Sequence, residues 1–154
     1  MSSRIVTHKN PLAAEAKNTI VRVDLEPYGR RAMKYEQLWT VRVEVGLFRV
    51  TCAPFFAEDI SFGDVVAADE QGPDAYTVTG VVEKSGNRTL RIATAMDGDV
   101  DGHREIIAFL DRRGLEWEAL TTGYVAANVG PHVDLGEIYD SPGSFGAEIF
   151  YEAS

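Results

Sequence analysis

The chain has 154 residues, a length that suits one domain or two small subdomains sharing a core. Its formal net charge of -9 argues against a nucleic-acid or anionic-membrane binder, because binding phosphate groups requires a basic surface. No apolar run approaches the roughly 18 residues of a membrane-spanning helix. The one cysteine, Cys52, excludes an internal disulfide and a cysteine-based zinc cage. We therefore expect a cytoplasmic protein with no metal and no cofactor.

The first part of the chain predicts a β-rich region. Residues 1–18 are a polar stretch without a secretory signal, and we expect them to be a flexible lead-in. Five strands of alternating or β-branched apolar residues follow. They are expected at 19–25, on either side of a hairpin turn or bulge at Gly46 within 37–52, at 63–70 and at 75–84. Such short strands, separated by turns, are typical of a small antiparallel barrel or a strongly twisted sheet.

The pattern changes after a sixth strand at 88–94. A helix is predicted over 101–114, with Asp101 as N-cap and Gly114 just past its end. The fold class is therefore α+β: an N-terminal small antiparallel β-barrel-like region (19–94) joined to a C-terminal half-ferredoxin-like β-α-β-β region (88–154). Together they form one domain over 19–154. The remaining elements are a strand at 115–129 broken at Gly123, a helical turn near 133–140 and a last strand at 146–154.

Four short motifs and one aromatic residue between positions 36 and 92 resemble a known family. The motifs are an acid-x-Leu-Trp start, a Pro-Phe-Phe, an Ile-Ser-x-Gly-Asp-Val-Val segment and a Ser-Gly-x-x-Thr-x-Arg turn, and the aromatic residue lies in the strand that leads to the Pro-Phe-Phe. In this chain the matching residues are Glu36, Leu38, Trp39, Phe48, Pro54, Phe55, Phe56, Ile60, Ser61, Gly63, Asp64, Val65, Val66, Ser85, Gly86, Thr89 and Arg91. The run is similar to the bacterial domain-of-unknown-function 4265 family. The resemblance implies a cytoplasmic bacterial protein and transfers no catalytic residue, since the activity of that family is unknown.

The stretch APFFAEDISFGDVV (53–66) places two adjacent aromatics, Phe55 and Phe56, directly after a proline. In an extended segment the two rings point to opposite sides, so one is expected to fill the barrel and the other to cover the interface with the helical half. This fold role is favoured over a ligand site. A partly exposed ring would nevertheless suit a binding surface, so both rings and Asp64, at the following turn, are candidate binding residues.

The string DGDVDG (97–102) matches the first half of a calcium-binding EF-hand loop. The second half fails, because the position that requires a bidentate carboxylate is Ala108. Asp97, Asp99 and Asp101 have a simpler role, in which Asp101 caps the helix and the other two favour its positive end. Weak cation binding is the alternative.

Nucleophilic catalysis has little support in the sequence. None of His8, His103 and His132 can be placed beside Cys52 from spacing alone, so a cysteine–histidine pair is not indicated. Free cysteine is among the most buried residue types, which favours a structural role for this thiol.

The turn SGNRTLR (85–91) allows two interpretations. The favoured one is a hairpin turn with solvated or salt-bridged arginines, and the other is an anion site made by Ser85, Arg88 and Arg91. A nearby pair of carboxylates, Glu116 and Glu118, is predicted on the solvent side of a half-buried strand.

The leading functional hypothesis is a non-enzymatic protein-binding module, for example an immunity-type protein that neutralises a basic partner. Acidity and the lack of a catalytic constellation support it, and we expect a monomer or homodimer. The alternative is a small-molecule-binding protein or enzyme with its site between the β-rich and helical regions. The candidate binding residues for either function are Phe55, Phe56, Asp64, Ser85, Arg88 and Arg91.

Overall fold

The computed structural model describes residues 5–13, 19–26, 33–73, 75–96, 98–139 and 149–153. Within these ranges the fold is α+β and mostly β, and none of the helices is long and apolar enough to cross a membrane. In chain order the elements are β1 (Ile5–Val6), β2 (Thr19–Asp24), β3 (Tyr35–Glu44), β4 (Leu47–Val50), β5 (Val65–Gly72), β6 (Ala75–Glu83), β7 (Arg88–Thr94), α1 (Val100–Arg112), β8 (Trp117–Thr121), β9 (Tyr124–Val129), α2 (Leu135–Tyr139) and β10 (Ile149–Ala153).

Five strands close into a barrel, in the order β3-β2-β6-β5-β4 with β4 pairing back to β3. The predicted barrel-like region is therefore confirmed, but the prediction that it is antiparallel throughout is wrong, because β2 and β6 are parallel. Five strands of alternating direction cannot close a ring without one parallel pair. The barrel interior is filled by apolar side chains from the inward positions of each strand. These include Val21, Val23, Leu38, Phe48, Val50 and Val66.

The hairpin between β3 and β4 follows from one glycine. Gly46 has a φ of +76°, a conformation that favours glycine, and the two strands pair on either side of it. A register shift between Arg42 and Glu44 also places a β-bulge just before the turn. The predicted interruption at Gly46 is thus a hairpin turn with a bulge beside it.

A second sheet has the strand order β10-β7-β9-β8 with antiparallel pairs throughout. Helix α1 covers one face of this sheet, since Ile106, Phe109 and Leu110 pack against Leu90, Ile92 and Val125. The predicted strand at 115–129 is a hairpin of β8 and β9, whose turn includes Gly123 with a φ of +96°.

The N-cap of helix α1 lies two residues earlier than Asp101, the predicted N-cap, and the helix begins at Val100. Asp99 is the N-cap, and its side chain accepts a hydrogen bond from the Gly102 N–H at 2.9 Å. Asp101 lies exposed in the first turn, where its charge favours the positive end of the helix. The helix ends as predicted, because Gly114 has a φ of +67° just past the last turn. The remaining acid of the predicted loop, Asp97, lies outside the described residues.

The other face of the second sheet packs on the barrel through the crossover segment, residues 51–64, which connects β4 to β5. Phe55 and Phe56 are both buried and belong to one apolar cluster with Leu25, Ala53 and Ala126 between the two sheets. The expectation that one ring fills the barrel is therefore wrong. The backbone bends at both residues, so the two rings lie in the same layer instead of on opposite sides.

The predicted flexible lead-in contains ordered contacts. β1 pairs in parallel with β3, at Ile5 with Tyr35 and Val6 with Glu36, and Val6 joins the apolar cluster between the sheets. His8 is only 5% exposed. Residues 5–13 therefore belong to the folded unit, because the strand pairing and the burial of His8 hold them against the barrel.

Two turns interlock at the end of the crossover segment. Gly63 has a φ of +86°, and a Cβ added to it would lie 3.1 Å from the Ser85 Cβ. Ser85 Oγ and Asn87 Nδ2 donate to the Phe62 carbonyl at 2.8 and 2.9 Å. The Asp64 side chain accepts from the Ser61 and Ser85 N–H groups. Glycine is therefore favoured at position 63, since a larger residue would be strained at this φ and would crowd Ser85.

We expect Gly63→Ala to lower the free energy of unfolding by about 1–3 kcal/mol, because alanine is strained at positive φ and would crowd Ser85. Gly80→Ala is the matched control, since Gly80 is not in the left-handed region and has no atom within 4 Å of its added Cβ. Urea denaturation of both variants measures the difference. Equal stability of the two variants would contradict the assignment of strain to position 63.

Candidate functional site at the junction of the two sheets

The imidazole of His8 lies between two carboxylates that belong to different sheets. Its Nε2 is 2.6 Å from Glu36 Oε2, on β3 of the barrel, and its Nδ1 is 2.6 Å from Glu118 Oε1, on β8 of the second sheet. All three side chains are buried. A ring that contacts a carboxylate at each nitrogen donates from both, so the geometry is that of an imidazolium with two charge-assisted hydrogen bonds.

The two carboxylates also fix the backbone of the crossover segment. Glu36 accepts from three consecutive N–H groups, those of Phe55, Phe56 and Ala57, at 2.6 to 3.0 Å. Glu118 Oε2 accepts from the Ala53 N–H at 2.5 Å and from the Leu12 N–H at 3.2 Å. These N–H groups are buried and lie outside the strands, so the carboxylates take the place of strand partners. The same bonds explain why the chain bends at the two phenylalanines.

Cys52 and two aromatic residues complete the cluster. One ligand atom each from His8, Cys52 and Glu118 lies within 4.8 Å of the others. The His8 ring stacks on Phe55 at 4.4 Å between centroids and 11° between planes. The Trp39 Nε1–H donates to the His8 carbonyl at 3.1 Å, which holds the backbone of the N-terminal segment. The structure therefore brings together a cysteine–histidine pair that spacing alone does not indicate.

The charges in the cluster shift the ionisation of its members in opposite directions. Burial disfavours the charged imidazolium, yet the bonds to Glu118 and Glu36 favour it, and the pKa of His8 lies well above its ordinary value. Burial likewise opposes charge on Glu36, but the bonds from His8 and from the backbone N–H groups lower the pKa of that carboxyl. Burial raises the pKa of the Cys52 thiol.

Arg91, a predicted anion-site residue, lies on the same face of the second sheet as Glu118. It is buried, and its guanidinium donates to the carbonyls of Phe55 and Ala57 at 3.0 and 3.1 Å. The expectation of a solvated or salt-bridged side chain is wrong for this residue. The guanidinium instead donates to carbonyls of the crossover segment. Glu36 accepts from N–H groups of the same segment, so buried backbone groups of both kinds have hydrogen-bond partners.

The other predicted binding residues lie elsewhere and make structural contacts. Arg88 donates to the Gly130 and Val133 carbonyls at 2.6 and 2.5 Å. Asp64 accepts from two backbone N–H groups and from Lys84 Nζ, and Ser85 bonds to the Phe62 carbonyl. The six predicted residues thus form two groups, with Phe55, Phe56 and Arg91 at the junction and Asp64, Ser85 and Arg88 around the interlocked turns.

Sequence reasoning missed His8 and Glu118 as members of this cluster. The prediction that Glu118 faces solvent is wrong: it is 2% exposed because β8 turns that face to the barrel, whereas Glu116 is exposed. One signal was present for Glu36, since it alternates with Leu38 and Thr40 on the inward side of β3. An acid at an inward position of a strand requires a buried partner.

The comparisons with known proteins place the chain in a family. The profile of the domain of unknown function DUF4265 matches residues 36–142. The chain belongs to the DUF4265 family. A solved structure, described as a hypothetical protein from Neisseria gonorrhoeae, is similar in fold, with a TM-score of 0.64 and 20% sequence identity. The similarity covers 87% of this chain and 92% of that one. No curated protein matches the sequence significantly.

The DUF4265 match extends beyond the motif run at 36–92 to the end of the helical region, and the structure gives the motifs a physical role. The acid of the first motif is Glu36, which holds the backbone of the Pro-Phe-Phe motif. The Gly-Asp of the third motif bonds to the Ser of the fourth. The terminal arginine of the fourth motif, Arg91, bonds back to the second. The motifs of this chain therefore form one continuous network of contacts.

We expect Glu118→Gln to lower the free energy of unfolding by about 3 kcal/mol or more, because it removes one partner of a buried ion pair. Glu116→Gln, the same change two residues earlier at an exposed position, should alter stability by less than about 0.5 kcal/mol. Denaturant titration of both variants measures the difference. A Glu118→Gln variant as stable as Glu116→Gln would show that the bridge contributes nothing.

Stability should fall on both sides of a window set by His8 and Glu36. The raised pKa of His8 adds stability that is fully present below pH 6.5 and is lost as the pH rises through the folded-state value. The lowered pKa of Glu36 adds stability that is present above pH 4.5 and is lost as the pH falls through the folded-state value. As the pH rises above 6.5 the decline should reach up to about 1.4 kcal/mol per pH unit.

Urea denaturation at a series of pH values tests this window, with His8→Gln as the comparison. The variant has no titrating group at that position, so its stability should be nearly independent of pH over the same range. A parallel decline in the wild type and in His8→Gln would assign the pH dependence to another group.

Proposed function

We propose that this protein is a non-enzymatic protein-binding module that accepts an extended, basic segment of its partner along the open edge of β6. The observation that carries this proposal is the gap in the barrel wall between β2 and β6. The proposed setting is a bacterial cytoplasm, where the one cysteine would stay reduced. One concrete form is an immunity-type protein that neutralises a basic toxin.

Strand β6 has much more pairing on one side than on the other. It pairs with β5 from Ala75 to Glu83, along its whole length. In the described part of the chain, its pairing with β2 covers only Val21 with Tyr76 and Arg22 with Thr77. The two strands then diverge, and an open cavity of about 200 Å³ lies between them. Its lining residues are Val23, Asp24, Asp59, Ile60, Val78, Thr79, Gly80 and Val81.

A strand edge of this kind is a template for an added strand. Main-chain hydrogen bonds supply affinity in such complexes, and alternate side chains of the added strand supply specificity. Next to the edge, Val82 is 58% exposed, a large apolar side chain on the barrel surface. An apolar residue of an incoming strand could pack on it while the neighbouring residues face the cavity.

The carboxylates around this edge indicate the charge of the partner. Asp24, Asp59 and Glu83 are exposed, and the chain as a whole carries a net charge of -9. A positively charged segment would be attracted to such a surface and oriented by it, and the attraction would weaken as salt is added. The proposed site is available in a monomer. A homodimer joined through the same edge of β6 would cover the site and prevent the segment from binding.

A small-ligand site between the two regions is the second candidate function. The buried group of His8, Glu36, Cys52 and Glu118, with its shifted pKa values, favours it. The low exposure of all four side chains favours the protein-binding role over catalysis at that position.

For the second region of the chain, we propose the half-ferredoxin-like β-α-β-β arrangement. The position of α1 between β7 and β8 in the chain supports it.

We expect a peptide of about eight residues that alternates lysine and valine to bind the open edge, because it matches the edge in charge and in strand form. Titration of the isotope-labelled protein, followed by NMR, should shift the amide signals of residues 78–83 and those around Asp24. A peptide in which glutamate replaces lysine should produce no shift. Binding should weaken at high salt.

Asp24→Lys tests the position of the peptide, and Glu116→Lys is the matched control with the same charge change at an exposed site on the second sheet. The first variant should lose at least about tenfold in affinity, and the second should bind like the wild type. Equal loss in the two variants, or shifts located away from β6, would overturn the proposed edge site.

A further inference from the structure

The cluster at the junction contains the donor set of a metal site. His8, Cys52 and Glu118 are buried, and one potential ligand atom from each lies within 4.8 Å of the other two. Imidazole nitrogen, thiolate sulphur and carboxylate oxygen are all ligands that Zn²⁺ accepts. We propose that these three side chains form a mononuclear site for a divalent transition metal of the zinc type. This inference does not depend on the protein-binding role proposed above.

The surrounding contacts orient the ligands as metal sites require. Glu36 binds the His8 Nε2 at 2.6 Å, which leaves Nδ1 directed at Glu118. A carboxylate on the far nitrogen of a ligating histidine fixes the ring and increases its basicity. Glu118 is oriented in the same way, because the N–H groups of Ala53 and Leu12 hold its Oε2 and leave Oε1 directed at the ring.

The donor set discriminates between ions. A thiolate and an imidazole favour zinc and similar borderline ions, whereas Mg²⁺ and Ca²⁺ require a larger set of oxygen ligands. Three protein ligands would leave one of the four positions of zinc for a water molecule. The acidic string before α1 offers no comparable set among its described residues, because the Asp99 carboxylate caps the helix.

Metal entry would exchange two protons for one ion. In the cluster as described, the ring bonds to a carboxylate at each nitrogen and so carries both of its protons. Binding M²⁺ would displace the Nδ1 proton of His8 and the thiol proton of Cys52, and the net charge of the cluster would not change. The burial cost of charge is therefore nearly the same with and without the metal.

Only a small local movement is needed. The Nδ1–Oε1 distance is 2.6 Å, and metal–ligand distances of about 2.0–2.2 Å in a tetrahedral site require about 3.3–3.6 Å between these atoms. A rotation of the His8 or Glu118 side chain would provide this separation without moving either strand.

The test uses the full chain, freed of metal by a chelator and titrated with Co²⁺ and then with Zn²⁺. Cobalt should bind at one equivalent, with the tetrahedral d–d bands and the near-ultraviolet charge-transfer band of a thiolate ligand. Zinc should displace the cobalt and bind with a Kd below about 1 µM. Cys52→Ser should lose the charge-transfer band and at least tenfold in zinc affinity.

His8→Gln should weaken zinc binding by a similar factor, and His132→Gln, which changes an exposed histidine, should not. If His8→Gln fails to fold, Cys52→Ser decides, because it keeps the imidazole–carboxylate contacts. Three outcomes would overturn the proposal: no binding by the wild type below about 10 µM, an unchanged affinity of Cys52→Ser, or an equal loss in His132→Gln.

Discussion

The imidazole of His8, held between the carboxylates of Glu36 and Glu118, connects three parts of the molecule. One carboxylate belongs to the barrel, the other to the second sheet, and the ring to the N-terminal segment. Because all three side chains are buried, each charge is stable only while its partners remain in place. The relative position of the two sheets therefore depends on this bridge as well as on the apolar layer around Phe55 and Phe56.

The crossover segment shows why the bridge requires two carboxylates and a guanidinium together. A bent segment between two sheets has N–H and C=O groups that neither sheet can pair. Glu36 and Glu118 accept from its N–H groups, and Arg91 donates to its carbonyls. The aromatic rings that follow Pro54 thereby gain a fixed backbone, and both can lie in the apolar layer. The polar network and the apolar layer stabilise the same segment from opposite sides.

The sequence predicts the strands and turns well because two-residue periodicity and positive-φ glycines are local signals. The hairpin at Gly46, the strand at 88–94 and the end of α1 at Gly114 follow from such signals. The sequence predicts the start of α1 less well, because Asp97, Asp99 and Asp101 are equivalent in chemistry. The structure is needed to show that Asp99 accepts from the Gly102 N–H. The parallel pair of β2 and β6 depends on the number of strands in the closed ring, which no local pattern reveals.

The candidate site could be predicted only in part. Glu36, Phe55, Phe56 and Arg91 stand out as motif residues of the resemblance, but their roles depend on contacts between distant segments. A polar residue on a strand usually faces water, and this expectation misplaces Glu118 because both faces of the second sheet are covered. His8 lies in a polar stretch whose composition resembles that of a disordered terminus. Its burial depends on two carboxylates, 28 and 110 residues further along the chain.

The separation between His8 and Glu118 also affects how the protein folds. The two side chains meet across a loop of 110 residues, so their contact cannot form until β8 is available. Contacts of such long range slow folding, because chain entropy is lost before they add stability. During synthesis the barrel strands are complete long before β8 emerges, and the crossover segment would meanwhile lack its partners on the second sheet.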